Sequence, residues 1–263
     1  MNLRGLLASP FGFLIGLVMG ALGGGGAVLA VPALVYLAGQ DPKDATASAL
    51  LIVMCTALGG LVAHSRDGTV RWNVGLVFGT GGVAGALIGS GLHTFVNDET
   101  LLLAFSVLLL VVSGFMFHQA RHPVSDDDPG LAVTVQFRGH PRRVGEILGL
   151  GLVIGTVTGF FGVGGGFILV PVLTVILKFP VRVAVGTSLL VISINSLVSL
   201  IARQAWGSIE WSVAIPFTIA ALVGVTAGNA LARRVDSATL IQAFAVLLVA
   251  VATYTGIDSL LAL

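Results

Sequence analysis

Gly20-Ala-Leu-Gly-Gly-Gly-Gly26, running on into Ala27-Val-Leu-Ala-Val-Pro32, decides how this chain is read. Four consecutive glycines stand inside apolar sequence, and a short apolar run with a proline follows. The stretch has a twin, Gly159-Phe-Phe-Gly-Val-Gly-Gly165 followed by Gly166-Phe-Ile-Leu-Val-Pro171. The two prolines stand 139 positions apart. A glycine cluster of this kind interrupts a helix, because glycine loses the most backbone freedom on folding and accepts positive φ.

The same offset extends well beyond the two clusters. Without gaps from Gly12 to Val112, it places Gly16 on Gly155, Gly68 on Gly207, Trp72 on Trp211, Gly85 on Gly224 and Phe105 on Phe244. About a third of the paired positions are identical, and the glycines, tryptophans and prolines fall into register together. Shared apolar composition would not align those residues. The chain is an internal duplication: residues 1–118 form a first transmembrane repeat, 119–145 a polar cytoplasmic linker and 146–263 a second repeat.

Composition sets the solvent. Of 263 residues, 56% are hydrophobic and 10% charged, and the mean hydropathy is +1.03. A soluble domain carries about 25% charged residues, so this chain could not cover a surface facing water. Its apolar runs suit helices rather than barrel strands. The net charge of +1 gives no basic field for nucleic acid. Cys55, the single cysteine, forms no internal disulfide. The N-terminal apolar run, preceded by Arg4, reads as a retained helix rather than a signal peptide.

Helices are expected at Leu6–Leu22, Ala27–Ala38, Ala45–Ala63, Asn73–Phe95 and Thr100–Gln119. In the second repeat they are expected at Glu146–Phe161, Gly166–Leu177, Ala184–Ala202, Trp211–Leu231 and Ala238–Thr255. A twelve-residue helix covers roughly 18 Å, short of a hydrocarbon core of roughly 30 Å. The runs after the glycines are therefore arms of re-entrant hairpins. Pro32 and Pro171 disfavour helix just before them, so the first short arm is expected to become helical near Val31. The linker reads as a soluble tether, with Leu131–Phe137 alternating enough for a small strand.

Loop charges indicate orientation. Gln40–Asp44 carries net −1 and its counterpart Lys178–Arg182 net +2; Asn97–Glu99 carries −2 and its counterpart Arg233–Asp236 +1. Corresponding loops therefore face opposite sides under the positive-inside rule. The fold class that follows is an all-α integral membrane protein of two inverted-topology repeats. Each repeat is a glycine-broken re-entrant helical hairpin plus three transmembrane helices, in a multi-pass protein of the plasma or inner membrane. The linker is placed in the cytoplasm and both termini outside.

Irregular backbone at membrane depth must line a cavity or be buried in protein. The candidate binding groups are the backbone amides of Gly23, Gly24, Gly25, Gly26, Gly162, Gly164, Gly165 and Gly166. Each short arm begins at its break, so two positive helix ends point to mid-membrane and form an anion site. Hydroxyls of Thr46, Ser48, Thr187 and Ser188 are placed in the first turn of the helices that follow. They serve as oxyanion donors, or they cap the helix or bond back to a carbonyl. Asn195, mid-helix in Ser193-Ile-Asn-Ser196, either donates to substrate or joins helices. Gly85/Gly89 and Gly224/Gly228 read as packing faces or a dimer seam, Asn229 as a packing residue, and His64 and Arg203 as helix ends near the interfaces.

The paired glycine-rich hairpins, the proline after each, and Ala184-Val-Gly-Thr-Ser-Leu189 resemble the sulfite exporter TauE/SafE family over nearly the whole chain except the linker. That resemblance implies movement of sulfur-containing oxyanions and organosulfonates, of the sulfite or sulfoacetate type. The function expected is secondary export of such an anion. A passive anion channel, or transport of another small anion such as a carboxylate, stays open as the alternative. No catalytic residues, metal or cofactor are expected, since zinc spacings, paired aspartates and Ser/His sets are missing from the sequence. The expected partners are the small anion, the lipid bilayer and a homodimer mate.

Overall fold

The computed structural model describes residues 3–36, 38–93, 98–121, 141–161, 166–202 and 209–262. Its regular structure is ten α-helices and one short 3₁₀ turn. The first repeat supplies α1 (Leu3–Leu22), the turn Gly24–Gly26, α2 (Ala27–Tyr36), α3 (Pro42–Arg66), α4 (Trp72–His93) and α5 (Asp98–Arg121). The second supplies α6 (Pro141–Phe161), α7 (Gly166–Val175), α8 (Val181–Ala202), α9 (Trp211–Ala232) and α10 (Ser237–Ala262). Among the described residues, five stretches are long and apolar enough to cross a membrane: Asp44–Arg66, Trp72–Leu92, Val144–Phe161, Val181–Ile201 and Trp211–Ala232. The chain is thus a multi-pass membrane protein. The expected strand at Leu131–Phe137 lies outside the described residues.

Each expected helix is present, with longer ends in most cases. Two boundaries change the reading. First, α2 is helical from Ala27, four residues earlier than expected, with Pro32 inside it. A proline there removes only the donor to the carbonyl four residues back, and the 3₁₀ turn leads the chain directly into the helix. Second, α3 begins at Pro42 and α8 at Val181, each three residues ahead of expectation. Pro42 occupies the start of α3, where a missing N–H does no harm and the fixed φ suits the helix. Pro180 stands just before α8, and its carbonyl accepts from the Ala184 N–H at 2.9 Å. Thr46, Ser48, Thr187 and Ser188 therefore lie in the second turn, not the first.

The main packing partners come from opposite halves of the chain. Helix α1 lies along α9 and α6 along α4, while α3 pairs with α8 and α5 with α10. The contacts obey the 139-residue offset residue by residue. Gly12 lies on Phe217 and its counterpart Gly151 on Phe78; Gly20 lies on Val225 and Gly159 on Ala86. A methyl group built on Gly12 would come within 2.8 Å of the Phe217 carbonyl oxygen, and one on Gly155 within 2.7 Å of the Gly82 Cα. In lipid no hydrophobic force drives helices together. Close backbone approach through small residues supplies the van der Waals contact instead. The glycine faces expected for packing are thus used between the two repeats.

The most buried spans are α8 and α3, at 72% and 61%, whereas α6 is 22% buried. Large apolar side chains such as Leu87, Phe115, Val153, Ile219 and Val246 are more than half exposed on the outer helices. On a soluble protein that belt would be an aggregation surface; on a membrane protein it faces acyl chains. Trp72 and Trp211 open α4 and α9, each 47% exposed, as interfacial anchors should be.

Candidate functional site

Helix α1 ends at Leu22, and Gly23 turns the chain with φ 74° and ψ −154°. That region is open essentially to glycine alone. Gly24–Gly26 form the 3₁₀ turn, and Gly26 comes to rest against Ile15 and Met19, so a Cβ on it would lie 3.2 Å from the Met19 nitrogen. Residues seven and eleven positions apart meet only when the chain turns back, so the break folds against α1 before α2 begins. The ten residues of α2 span about 15 Å, half of a hydrocarbon core.

The first break is buried and touches the second repeat. Gly24 meets Gly166, the first residue of α7, backbone to backbone; a Cβ on Gly24 would lie 2.8 Å from the Gly166 carbonyl carbon. Gly23 faces α8: a Cβ there would stand 2.8 Å from the Ser188 Oγ and 3.3 Å from the Val185 Cα. Gly162, Gly164 and Gly165 lie outside the described residues. Of the second cluster, Gly166 is the member that can be placed.

The hydroxyls divide by partner. Ser188 is fully buried beside Gly23, but its Oγ donates to the Val185 carbonyl at 2.8 Å. Thr187, also buried, accepts from the Arg71 N–H at 3.1 Å and so ties the α3–α4 loop to α8. Ser48 is buried with no partner on its Oγ, and Thr46 is half-buried. Asn195 is buried against Gly82 of α4, with its Oδ1 unpaired. The sequence counterpart of Ser188 is Ala49, so the hydroxyl at the first break has no twin across the duplication.

A cavity of about 180 Å³ runs inward beside the break, between the end of α3, the start of α8 and the end of α9. Gly20, Ala21 and Val185 line it deep in the protein, and Val185 also touches Gly23. His64, Asp67, Thr69, Arg182, Asn229 and Arg233 also line it, and of these Asp67, Arg182 and Arg233 are exposed and mark its opening. Arg233 donates from Nη2 to the Asp67 Oδ2 at 2.6 Å, with both side chains partly exposed. His64, expected near the interface, is 6% exposed, because Gly186 of α8 packs over it and Thr69 bonds its Nδ1 at 2.9 Å. Asn229 lines this cavity as well as packing. Arg182 and Arg233 escaped the sequence reading as site residues; their one signal was the positive charge of their loops. Arg203 lies outside the described residues.

A helical bundle with a broken helix, buried unpaired polar groups and a cationic cavity has the build of a membrane transporter. The chain belongs to the sulfite exporter TauE/SafE family, whose model matches residues 8–255. It is 30% identical over 247 residues to a "Probable membrane transporter protein" of Xylella fastidiosa, covering 92% of this chain and 91% of that one. It is 28% identical over 271 residues to the "Probable membrane transporter protein YunE" of Bacillus subtilis, covering 97% of each. No solved structure matches.

Proposed function

We propose that this chain is a secondary transporter of the plasma or inner membrane that exports small sulfur-containing oxyanions or organosulfonates. The anion is held near mid-membrane at the two glycine breaks. The observation that carries the reading is the meeting of Gly24 with Gly166 in the buried interior, next to a cavity whose opening bears Arg182 and Arg233. Backbone amides freed at the breaks bind negative charge without a side chain in the way.

We read the same contacts as inverted repeats with re-entrant hairpins. The paired positions of α1 and α9 rise together along both helices, so the two run parallel, as do α6 and α4. Asp67, Arg182 and Arg233 share one end of the bundle. Gln40 Nε2 donates to the Glu210 Oε2 at 3.1 Å in loops that are the counterparts of those ends. The first group of loops is the positive one, so the cavity opens to the cytoplasm under the positive-inside rule. An anion leaving the cell would enter there. We read the direct contact of Gly24 with Gly166 as a closure between the two sides, which favours alternating access over an open channel.

Membrane potential, inside negative, contributes about 2.3 kcal/mol per charge per 100 mV. For a dianion that is roughly 4.6 kcal/mol, on the order of a thousandfold gradient outward. The test is sulfite and sulfoacetate flux from proteoliposomes at clamped potential. Saturable efflux that rises with inside-negative potential is expected; indifference to potential with strong dependence on a pH gradient rejects potential-driven export.

A further inference from the structure

We propose that the cavity between α3, α8 and α9 is a second anion site, a receiving vestibule separate from the glycine breaks, in which Asp67 competes with the incoming anion for Arg233. The proposal rests on the anion-transport reading and adds a place for the ion before it reaches the break. The space of about 180 Å³ suits an ion rather than a large organic ligand. A water needs only about 10–15 Å³ by such a measure, so a polyatomic anion fits with part of its hydration shell.

The donors are arranged for a small oxyanion. Arg182 and Arg233 bring two guanidinium groups to one cavity, each with several N–H donors suited to paired acceptor oxygens. Asn229, nine-tenths buried, offers amide N–H groups. His64 is more than nine-tenths buried and its Nε2 has no partner. The Thr69 hydroxyl lies 2.9 Å from the His64 Nδ1 and 3.0 Å from the His64 carbonyl oxygen. It has one hydrogen for the two. When that hydrogen goes to Nδ1, the ring proton sits on Nε2, which then donates to an anion. The charged groups around His64 are Asp67 on the α3–α4 loop, Arg233 at the end of α9 and Arg182 on α8.

Asp67 already shows what one of these cations accepts. Its carboxylate oxygen sits on the Arg233 Nη2, where an oxygen of a sulfite, sulfonate or carboxylate group would sit. Because Arg233 and Asp67 are 54% and 35% exposed, the ion pair is weak and easily exchanged. A resident acid of this kind keeps Arg233 from holding the ion too tightly for onward movement. An arriving anion takes Arg233, and Asp67 swings free.

The experiment is calorimetric titration of the intact protein in nanodiscs with sulfite, methanesulfonate and acetate, each against matched chloride. Removing the competitor, Asp67→Asn, is expected to tighten binding about threefold, and Arg182→Gln to weaken it about tenfold. If Asp67→Asn weakens binding, or Arg182→Gln binds as the wild type does, the vestibule is wrong. If neither wild type nor Asp67→Asn binds any of the three anions, it is also wrong. Binding of acetate alone, shifted by the two variants as stated, supports the vestibule and overturns the sulfur-anion reading, so the two fail separately.

Discussion

Replacing Gly23 with alanine tests the centre of the site. The residue holds φ 74° and ψ −154°, a region that costs a residue with a side chain about 1–3 kcal/mol. The added methyl would also lie 2.8 Å from the Ser188 Oγ, 2.9 Å from the Val170 Cγ2 and 3.3 Å from the Val185 Cα. Ordinary carbon contacts are about 3.5–4.0 Å, so α7 and α8 must yield by several tenths of an ångström or more. Overpacking of this kind costs about 1–3 kcal/mol. Together the penalties reach about 2–6 kcal/mol, and even the lower bound lowers the ratio of competent to incompetent protein about thirtyfold. The assay pairs thermal unfolding in detergent with anion flux in proteoliposomes. Gly23→Ala is expected to melt several degrees lower and to lose most flux. Adding Ser188→Ala should restore part of the melting temperature, since it removes the nearest clash but not the positive φ. Gly114→Ala is the control: nothing lies within 4 Å of a Cβ there, and alanine in a helix gains about 0.5–1 kcal/mol over glycine. A Gly23→Ala protein that melts and transports like the wild type refutes the reasoning.

Two further substitutions probe packing and hydrogen bonding. Gly155→Leu drives a side chain into the backbone of Gly82 and should separate α6 from α4, with loss of monodisperse protein on size-exclusion chromatography; normal elution and melting would contradict the close packing. Thr187→Val keeps the shape but removes the acceptor for the Arg71 N–H. It is expected to lower stability by about 1–3 kcal/mol with a loosened α3–α4 loop, read as faster amide exchange at residues 67–71. Unchanged exchange there, with flux lost, would make Thr187 a ligand contact instead.

The duplication and the first break were legible because glycine and proline carry backbone instructions that do not depend on distant residues. Four glycines in a row cannot continue a helix without heavy entropic loss, and the break falls at Gly23 as the sequence requires. Helix starts were less legible. Pro42 falls in a loop by sequence pattern yet is the first residue of α3, and the early starts of α3 and α8 together carry four hydroxyls a turn deeper. Ser188 and Ser193 then bond back to the Val185 and Leu189 carbonyls, a local choice that sequence offers but does not decide. The vestibule was the least legible part. Its residues come from the ends of α1, α3 and α9, the start of α8 and the turns after α3 and α9, and these converge only once α3 and α8 pair. The repeat comparison also hides it. Asp67, Arg182 and Arg233 correspond to Trp206, Lys43 and Thr94, so no shared motif marks the place.

That lack of correspondence gives the duplicated scaffold a direction. On the inverted-repeat reading proposed above, two like copies would present equal openings to the two sides. Ala21 lines the vestibule deep in the protein, whereas its counterpart across the offset is Phe160. The Phe160 ring packs edge-on against Phe161, with centroids 5.0 Å apart at 79°, and Phe161 in turn lies 5.4 Å from Phe105. Aromatic volume thus stands in the second repeat where the first has a methyl group. The Phe160–Phe161 and Phe161–Phe105 contacts gather three rings there, while an exposed ion pair stands at the vestibule. An exposed pair contributes about 0–1 kcal/mol, and each aromatic contact about 0.5–1.5 kcal/mol beyond its buried area. The approaches to the two breaks are therefore packed unequally, with a methyl group at Ala21 and edge-on rings at Phe160 and Phe161.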